Sequence, residues 1–326
     1  MSGIHGGPDA QGVPRWDFST NANACGPCPT ALTAVQGADP QHYPDPGYTE
    51  LRVALAAFHG VAAERLVVAG SASEFIARIT AAVVRTGGQS VWWPALAYGD
   101  YAHAAQAWCL QRVNDPAKAN LLWLCEPSSP LGTAEPLAQA VAGQGGVVVL
   151  DRAYEPLRLS GHCSLGADVL DRVWQLWSPN KALGLTGVRG AYAIAPLRGL
   201  ALAQTLTRMA PSWPLGAHAV AMLTAWVQAD TQRWLAQSRV QLAEWKTAQR
   251  AMLQGAGWQC LPSEANYLCA RAPLPLNVEA LRAQGIKLRD TTSLGLPGHW
   301  RLGVLPPAAQ QVLHTAVLET TKETAP

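Results

Sequence analysis

Between residues 65 and 196 the sequence sets down short, almost uninterrupted apolar runs, each parted from the next by a helix-like or turn-rich stretch. The runs are RLVVAG (65–70), SVWWP (90–94), NLLWLCEP (120–127), GGVVVLD (145–151), RVWQLWS (172–178) and RGAYAIAP (189–196). The stretches SEFIARITAAVV (73–84), YGDYAHAAQAW (98–108) and AEPLAQAVAG (134–143) read as helices, as does TELRVALAAFHG (49–60) upstream. A strand that is apolar at every position has no face left for water, so it must be covered on both sides. Alternation with helices then predicts an α/β chain with a mostly parallel central sheet clothed in helices. In such sheets ligands gather at the carboxyl ends of the strands.

Around this frame the chain predicts three parts. Residues 1–30, rich in Gly, Pro, Asn and Ser, read as an irregular arm packing on the active site, and 31–200 as the large domain. Residues 201–326 read as a smaller α+β domain: a long helical stretch to about 254, short strands at NYLCAR, IKLR and HWRLGVL, and a last helix AAQQVLHTAVLE. Lys and Arg number 24 against 22 Asp and Glu, a near balance without basic clusters, which argues against nucleic-acid or membrane-surface binding. Only 14% of residues are charged, which suggests that part of the surface is buried in an oligomer. No apolar run reaches the roughly 18 residues of a membrane span. The first residues have neither the basic nor the apolar region of a secretory leader, so the expected compartment is the cytoplasm. Seven irregularly spaced cysteines do not describe a disulfide framework. Cys25-Gly26-Pro27-Cys28 spells a redox motif but lacks a preceding strand, and reads as two ordinary thiols. The histidines have no metal-ligand spacing.

The strongest chemical signal is SPNKALGLTGVRG (178–190), which follows an apolar strand. Lys181, with Ser178 three residues before it and Arg189 eight after, suits an aldehyde-bearing phosphorylated cofactor: the amine forms a Schiff base while hydroxyl and guanidinium hold phosphate. Asp151 ends its strand where a carboxylate could keep a pyridine nitrogen protonated, and Tyr154 could donate to the ring oxygen. Ser71, Ala72 and Ser73 join a strand to a helix, a ready anion site, although Ser71 reads equally as an ordinary N-cap. Tyr98 could stack on a flat ring, and Trp213 is a candidate lining residue for the substrate pocket.

In this order the residues resemble the fold-type-I pyridoxal-phosphate enzymes over almost the whole chain. The resemblance is nearest to threonine-phosphate decarboxylases of cobalamin biosynthesis, which are similar to histidinol-phosphate aminotransferases. It is carried by His5-Gly6-Gly7, by DFSTNAN (17–23), by HYPDPGY (42–48), by ANYL (265–268) and IKLR (286–289), and by WRLGVLP (300–306). The resemblance implies that pyridoxal 5'-phosphate is bound through Lys181, which also moves the proton. It implies that Asp151 pairs with the pyridine nitrogen and Tyr154 with the phenolate oxygen. Ser71, Ala72, Ser73, Ser178 and Arg189 would cradle the phosphate beside Tyr98, and Tyr43 would reach it across a homodimer interface. Arg301 would clamp a substrate carboxylate. His5, Asn23 and Arg289 would meet the phosphate end of the substrate, and Asn266 belongs with the substrate-binding set.

Three departures stand out. Ser129 occupies the place of the family's asparagine on the phenolate oxygen, Asn180 precedes the lysine, and Leu305 stands where one branch carries a second arginine. The expected reaction is decarboxylation of threonine phosphate to aminopropanol phosphate. The alternative is transamination of a phosphorylated amino compound with the same catalytic residues. A non-catalytic binding protein is the third possibility, suggested only by Ser129.

Overall fold

The computed structural model describes residues 6–322. Its main sheet has seven strands: β1 (Leu66–Ala69), β2 (Ser90–Trp92), β3 (Gln111–Arg112), β4 (Leu121–Cys125), β5 (Val147–Asp151), β6 (Trp174–Trp177) and β7 (Ala191–Ile194). They lie in the order β1-β7-β6-β5-β4-β2-β3. Strands β2 to β6 run parallel, whereas β7 opposes both of its neighbours.

Successive side chains of a strand point to opposite faces, so a wholly apolar strand feeds two cores. Leu121 and Trp123 join Val149 and Leu176 on one side, and Leu122 and Leu124 join Val148 and Leu150 on the other. Each such Leu or Val contributes roughly 1.5–3 kcal/mol by leaving water. The parallel register sets Cys125 opposite Asp151 and Asp151 opposite Leu176, so the ends of β4, β5 and β6 stand level. The loops that follow them therefore open on one side of the sheet.

A second, antiparallel sheet comprises β8 (Gln259–Cys260), β9 (Tyr267–Arg271), β10 (Arg289–Asp290) and β11 (Trp300–Gly303), in the order β10-β11-β9-β8. Its core holds Leu268 and Leu302 against Leu253 of the helix Ala229–Gly255 and Leu313 of the helix Pro307–Lys322. Phe18 of the arm is fully buried in the same core. The expected strand IKLR divides here: Ile286–Lys287 pairs with Trp16–Asp17 of the arm, and Arg289–Asp290 pairs with β11.

The long helical stretch also divides, into Leu200–Met209, Ala217–Trp226 and Ala229–Gly255. Pro211 and Pro214 lie in the first break, where proline removes a helix donor. Packing does not break at residue 200, contrary to the simple division by sequence. Leu215, Met222 and Trp226 share a core with Leu66, Trp177 and Tyr192 of the main sheet and its flanks. Among the described residues no helix is long and apolar enough to cross a membrane.

Candidate active site

A cavity of about 770 Å³ opens over the carboxyl ends of the parallel strands. The arm closes one side with Gly6, Gly7 and Ser19 to Ala22, and Arg301 of β11 enters from the second sheet. Ser73, Tyr98, Tyr154, Lys181 and Arg189 line the rest, together with His103 from the helix Gly99–Ala107 and Trp108, which caps its end. A smaller cavity of about 310 Å³ between Tyr48, Arg52 and Trp213 contains none of the expected catalytic residues.

Lys181 sits in the turn after β6, with its Nζ 5.4 Å from the centre of the Tyr154 ring. The side chain before it straps that turn: Asn180 Nδ2 donates to the carbonyls of Thr186 (3.4 Å) and Val188 (3.3 Å), and its Oδ1 accepts from Ser178 Oγ at 2.9 Å. Asp151 is buried just behind the cavity wall, where its carboxylate accepts from Tyr101 Oη at 2.8 Å and from the Ala153 amide at 3.0 Å. Burial raises the Asp151 carboxyl above its ordinary value, while those two donors and the nearby Lys181 pull it down. Tyr101 is itself held by stacking on Trp123, with ring centres 4.5 Å apart and planes 7° apart. Tyr98 meets Tyr101 edge-on at 5.8 Å, and burial pushes its hydroxyl well above the usual phenol range.

On the opposite wall Arg301 is directly paired in register with Arg289 on β10. Both guanidinium groups are buried, and neither has a carboxylate partner among the described residues. Arg301 Nη1 donates to Ser129 Oγ at 3.3 Å, and Arg289 Nη2 donates to Ser293 Oγ at 2.9 Å. Arg301 Nε and Arg289 Nη1 are buried without a hydrogen-bond partner. Burial, with Arg301 alongside, lowers the Arg289 pKa. Asn21 lines the same cavity with both side-chain polar atoms buried and unpartnered. Leaving such groups unmade costs roughly 1–3 kcal/mol each. The wall is therefore organised to receive polar, anionic matter from outside the chain.

The family-wide sequence pattern of aminotransferase class I and II matches residues 109–317, more than half of the chain. The chain belongs to this family. Members of the aminotransferase class I and II family are pyridoxal-phosphate enzymes, and the two sheets described above are their fold-type-I architecture. Histidinol-phosphate aminotransferase 2 of Rhizobium meliloti (strain 1021) is 27% identical over 277 residues, covering 78% of each chain. The crystal structure of histidinol-phosphate aminotransferase from Sinorhizobium meliloti, in complex with pyridoxal-5'-phosphate, superposes with a TM-score of 0.79 at 21% identity, covering 94% of this chain and 90% of that one. L-threonine-O-3-phosphate decarboxylase from Porphyromonas gingivalis superposes equally well, with a TM-score of 0.79 at 19% identity, covering 94% and 99%.

Of the residues singled out in the sequence, the cavity of this aminotransferase-family chain gathers Ser73, Tyr98, Tyr154, Lys181, Arg189 and Arg301. Asp151, Ser129 and Arg289 stand immediately behind its wall. Others are placed differently. Ser71 is the N-cap of the helix Ala72–Arg85, accepting from the Glu74 amide at 3.1 Å, and neither it nor Ala72 lines the cavity. Ser178 Oγ is turned onto Asn180. Asn23 is not in the cavity wall, because its amide donates to the Ala182 carbonyl at 3.0 Å and accepts from the Cys25 amide. Asn266 likewise grips the arm, donating to the carbonyls of Asn21 (3.1 Å) and Ala22 (3.2 Å). Tyr43 is 76% exposed and stacks on Trp213 at 4.2 Å, so neither ring enters the cavity of its own chain. His5 lies outside the described residues.

Cys25 and Cys28 face different partners, the Ser238 carbonyl and the Thr231 hydroxyl, while the Cys28 amide donates to the Leu183 carbonyl at 2.8 Å. The motif thus stitches the arm to the lysine turn. Sequence reasoning missed Asn21, Tyr101 and Tyr267. Tyr101 stands three residues after Tyr98, one helical turn on, which was the available signal.

Proposed function

We propose that the cavity takes pyridoxal 5'-phosphate and that the chain transfers the amino group of a small phosphorylated amine. The observation that carries this is one arrangement: an amine, Lys181, beside Tyr154 in an open cavity, with the buried carboxylate of Asp151 behind it. The residues fit the group in other respects. Arg189 makes no ion pair among the described residues, and a Cβ built on Gly187 would meet nothing within 4 Å, so room and positive charge coincide at the lysine loop.

Lys181 would attach the cofactor, and Asp151, Tyr154, Tyr98, Ser73 and Arg189 would hold it. When bound, it supplies an aldehyde for the substrate amine and a cationic ring that draws electrons from the α-carbon. Tyr101 and the Ala153 amide keep Asp151 fixed, so its charge would be available to the ring nitrogen without rearrangement. Lys181 Nζ would take the proton from the α-carbon of the amino donor and give one to the α-carbon of the keto-acid acceptor, so that the protons balance over the whole reaction. Arg301 and Arg289 orient the anionic groups of the substrate, with Asn21 as a further hydrogen-bonding side chain. Ser71, Ser178, Asn23 and Asn266 act by stiffening the backbone around these groups. The exposed stack of Tyr43 on Trp213 suits a homodimer in which Tyr43 serves the neighbouring site.

Histidinol phosphate is the first substrate to test, since curated relatives carry that activity in their names. A second reading, decarboxylation of threonine phosphate, is favoured by the two adjacent arginines without carboxylate partners, which suit a compound bearing both carboxylate and phosphate. Borohydride reduction of the protein with pyridoxal phosphate, followed by peptide mapping, tests the site. Label on Lys181 is expected, and its absence overturns the proposal. Glutamate formed from histidinol phosphate and 2-oxoglutarate would support transamination. Carbon dioxide released from threonine phosphate without a keto acid would replace it by the second reading. Light scattering of the purified protein tests the dimer.

A further inference from the structure

The corner Ser263–Ala265, just before β9, is where three walls of the candidate site meet. The Glu264 amide donates to the Gly132 carbonyl at 2.6 Å, on the loop that carries Ser129. The Leu159 amide donates to the Glu264 carbonyl at 2.6 Å, which ties down the segment following Tyr154. The next residue, Asn266, holds the arm at Asn21 and Ala22. Tyr267 donates to the Ser128 carbonyl at 2.7 Å, and its ring meets that of Tyr154 edge-on at 4.8 Å. Tyr154 is the ring beside Lys181 Nζ.

The corner turns several acceptors toward one point, and a half-buried side chain from the long helix meets them there. Lys246 Nζ donates to the carbonyls of Ser263 and Ala265, both at 2.6 Å, and approaches Ser263 Oγ at 3.2 Å. Ser263 Oγ in turn donates to the Tyr267 carbonyl. We propose that Lys246 is a positioning residue: its ammonium, by holding this corner closed, sets Tyr267 against Tyr154 and Asn266 against the arm. The inference rests on reading the cavity as the cofactor site.

An ammonium has three donors for these three acceptors, whereas a neutral amine has two. Burial brings Lys246 down to about 8; Arg250 on the same helix pushes the same way, and Glu264 of the corner opposes them. Raising the pH through that value therefore removes a donor from the corner. It does not unfold the chain through this group: a lysine with a depressed pKa gains native-state stability as it sheds its proton, because the cost of burying the charge disappears. The corner loosens while the fold persists.

The test compares wild type, Lys246→Met and Lys246→Arg by two measurements. In cofactor-free protein at pH 7, deuterium exchange of the Leu159 and Glu264 amides should be about tenfold faster in Lys246→Met, the equivalent of one hydrogen bond, and near wild type in Lys246→Arg. In a titration with pyridoxal phosphate from pH 7 to 9.5, wild type should lose affinity roughly five- to tenfold with an inflection near the Lys246 value, and Lys246→Arg should lack that inflection. Equal exchange in all three proteins, or an unchanged inflection in Lys246→Arg, overturns the proposal. If no protein binds the cofactor, the cofactor reading fails and the exchange result still decides the role of Lys246. If Lys246→Met does not fold, Lys246→Arg decides through its pH profile.

Discussion

Substituting Tyr101 by Phe isolates one interaction at the heart of the candidate site. The ring is 1% exposed and stacks on Trp123, and Phe preserves that packing, so only the hydroxyl on Asp151 is lost. With Asp151 ionised, the lost bond is charge-assisted and costs about 1.5–3 kcal/mol; with Asp151 protonated, it is an ordinary bond worth about 0.5–1.5 kcal/mol. The difference, about 1–2 kcal/mol, corresponds to a further rise of roughly one unit in the Asp151 pKa. The sign follows from linkage. Burial already lifts this carboxyl above its unfolded value, so it contributes stability at low pH that is lost as pH rises through the folded pKa. Tyr101→Phe extends that loss upward. Urea denaturation of cofactor-free wild type and variant at about pH 4 and pH 7.5 should therefore show a larger destabilisation at the higher pH. Equal destabilisation at both would refute the claim that the hydroxyl acts on an ionised Asp151.

Asn21→Leu removes two buried, unpartnered polar atoms from the cavity wall, so the cofactor-free protein should gain about 1–2 kcal/mol in urea while the KM of its anionic substrate rises. Asn180→Ala cuts the strap across the lysine turn and should cost about 1–3 kcal/mol, with weaker retention of pyridoxal phosphate on gel filtration. Asp9 ties the arm to Arg282 and Lys287, which hold its carboxyl well below the usual range. Its contribution is present above the unfolded carboxylate pKa and is lost as pH falls toward the depressed folded value. Asp9→Asn should make the arm more sensitive to limited proteolysis at pH 7, and high salt should erase the difference from wild type.

Most of the central sheet was legible because its inner strands are apolar at nearly every position, a pattern that admits little else. Strand β3, Gln111–Arg112, was not, since a short exposed edge carries no hydrophobic signal. The break in IKLR was hidden for a related reason: Ile286–Lys287 and Arg289–Asp290 are each two residues long, and their partners lie far away in sequence. Site residues tied to strand ends, such as Asp151 and Lys181, were legible because the register carries them to one edge. Small hydroxyl and amide groups were not. Ser71 and Ser178 sit at the right spacing for a phosphate, yet both satisfy a local partner first, as short polar side chains readily do. Asn21 and Asn23 lie two residues apart on an irregular segment with no periodicity to say which faces inward. The difference is that Asn23 finds a backbone carbonyl 159 residues away, and Asn21 finds none.

The choice between moving an amino group and releasing carbon dioxide is harder still to read, and the site suggests why. Under the proposed function both reactions would call on Lys181 and Asp151 alike; they differ in which bond of the α-carbon is aligned for cleavage, and in this site that alignment would depend on where a carboxylate rests on Arg301. The Arg301 guanidinium is placed by the β10–β11 register, by Ser129 Oγ, and by the ring of Tyr267 5.6 Å away. Those constraints come from residues 129, 267, 289 and 301, scattered over more than half the chain. None has a local pattern that betrays the angle they jointly set. Replacing Ser129 by Asn tests this directly, because a longer amide at the same position would meet the guanidinium differently while leaving Lys181 and Asp151 untouched. If substrate carboxylate placement governs the outcome, Ser129→Asn should change the ratio of deaminated to decarboxylated product. A change in total rate with that ratio fixed would show that the Arg301 environment does not choose the bond.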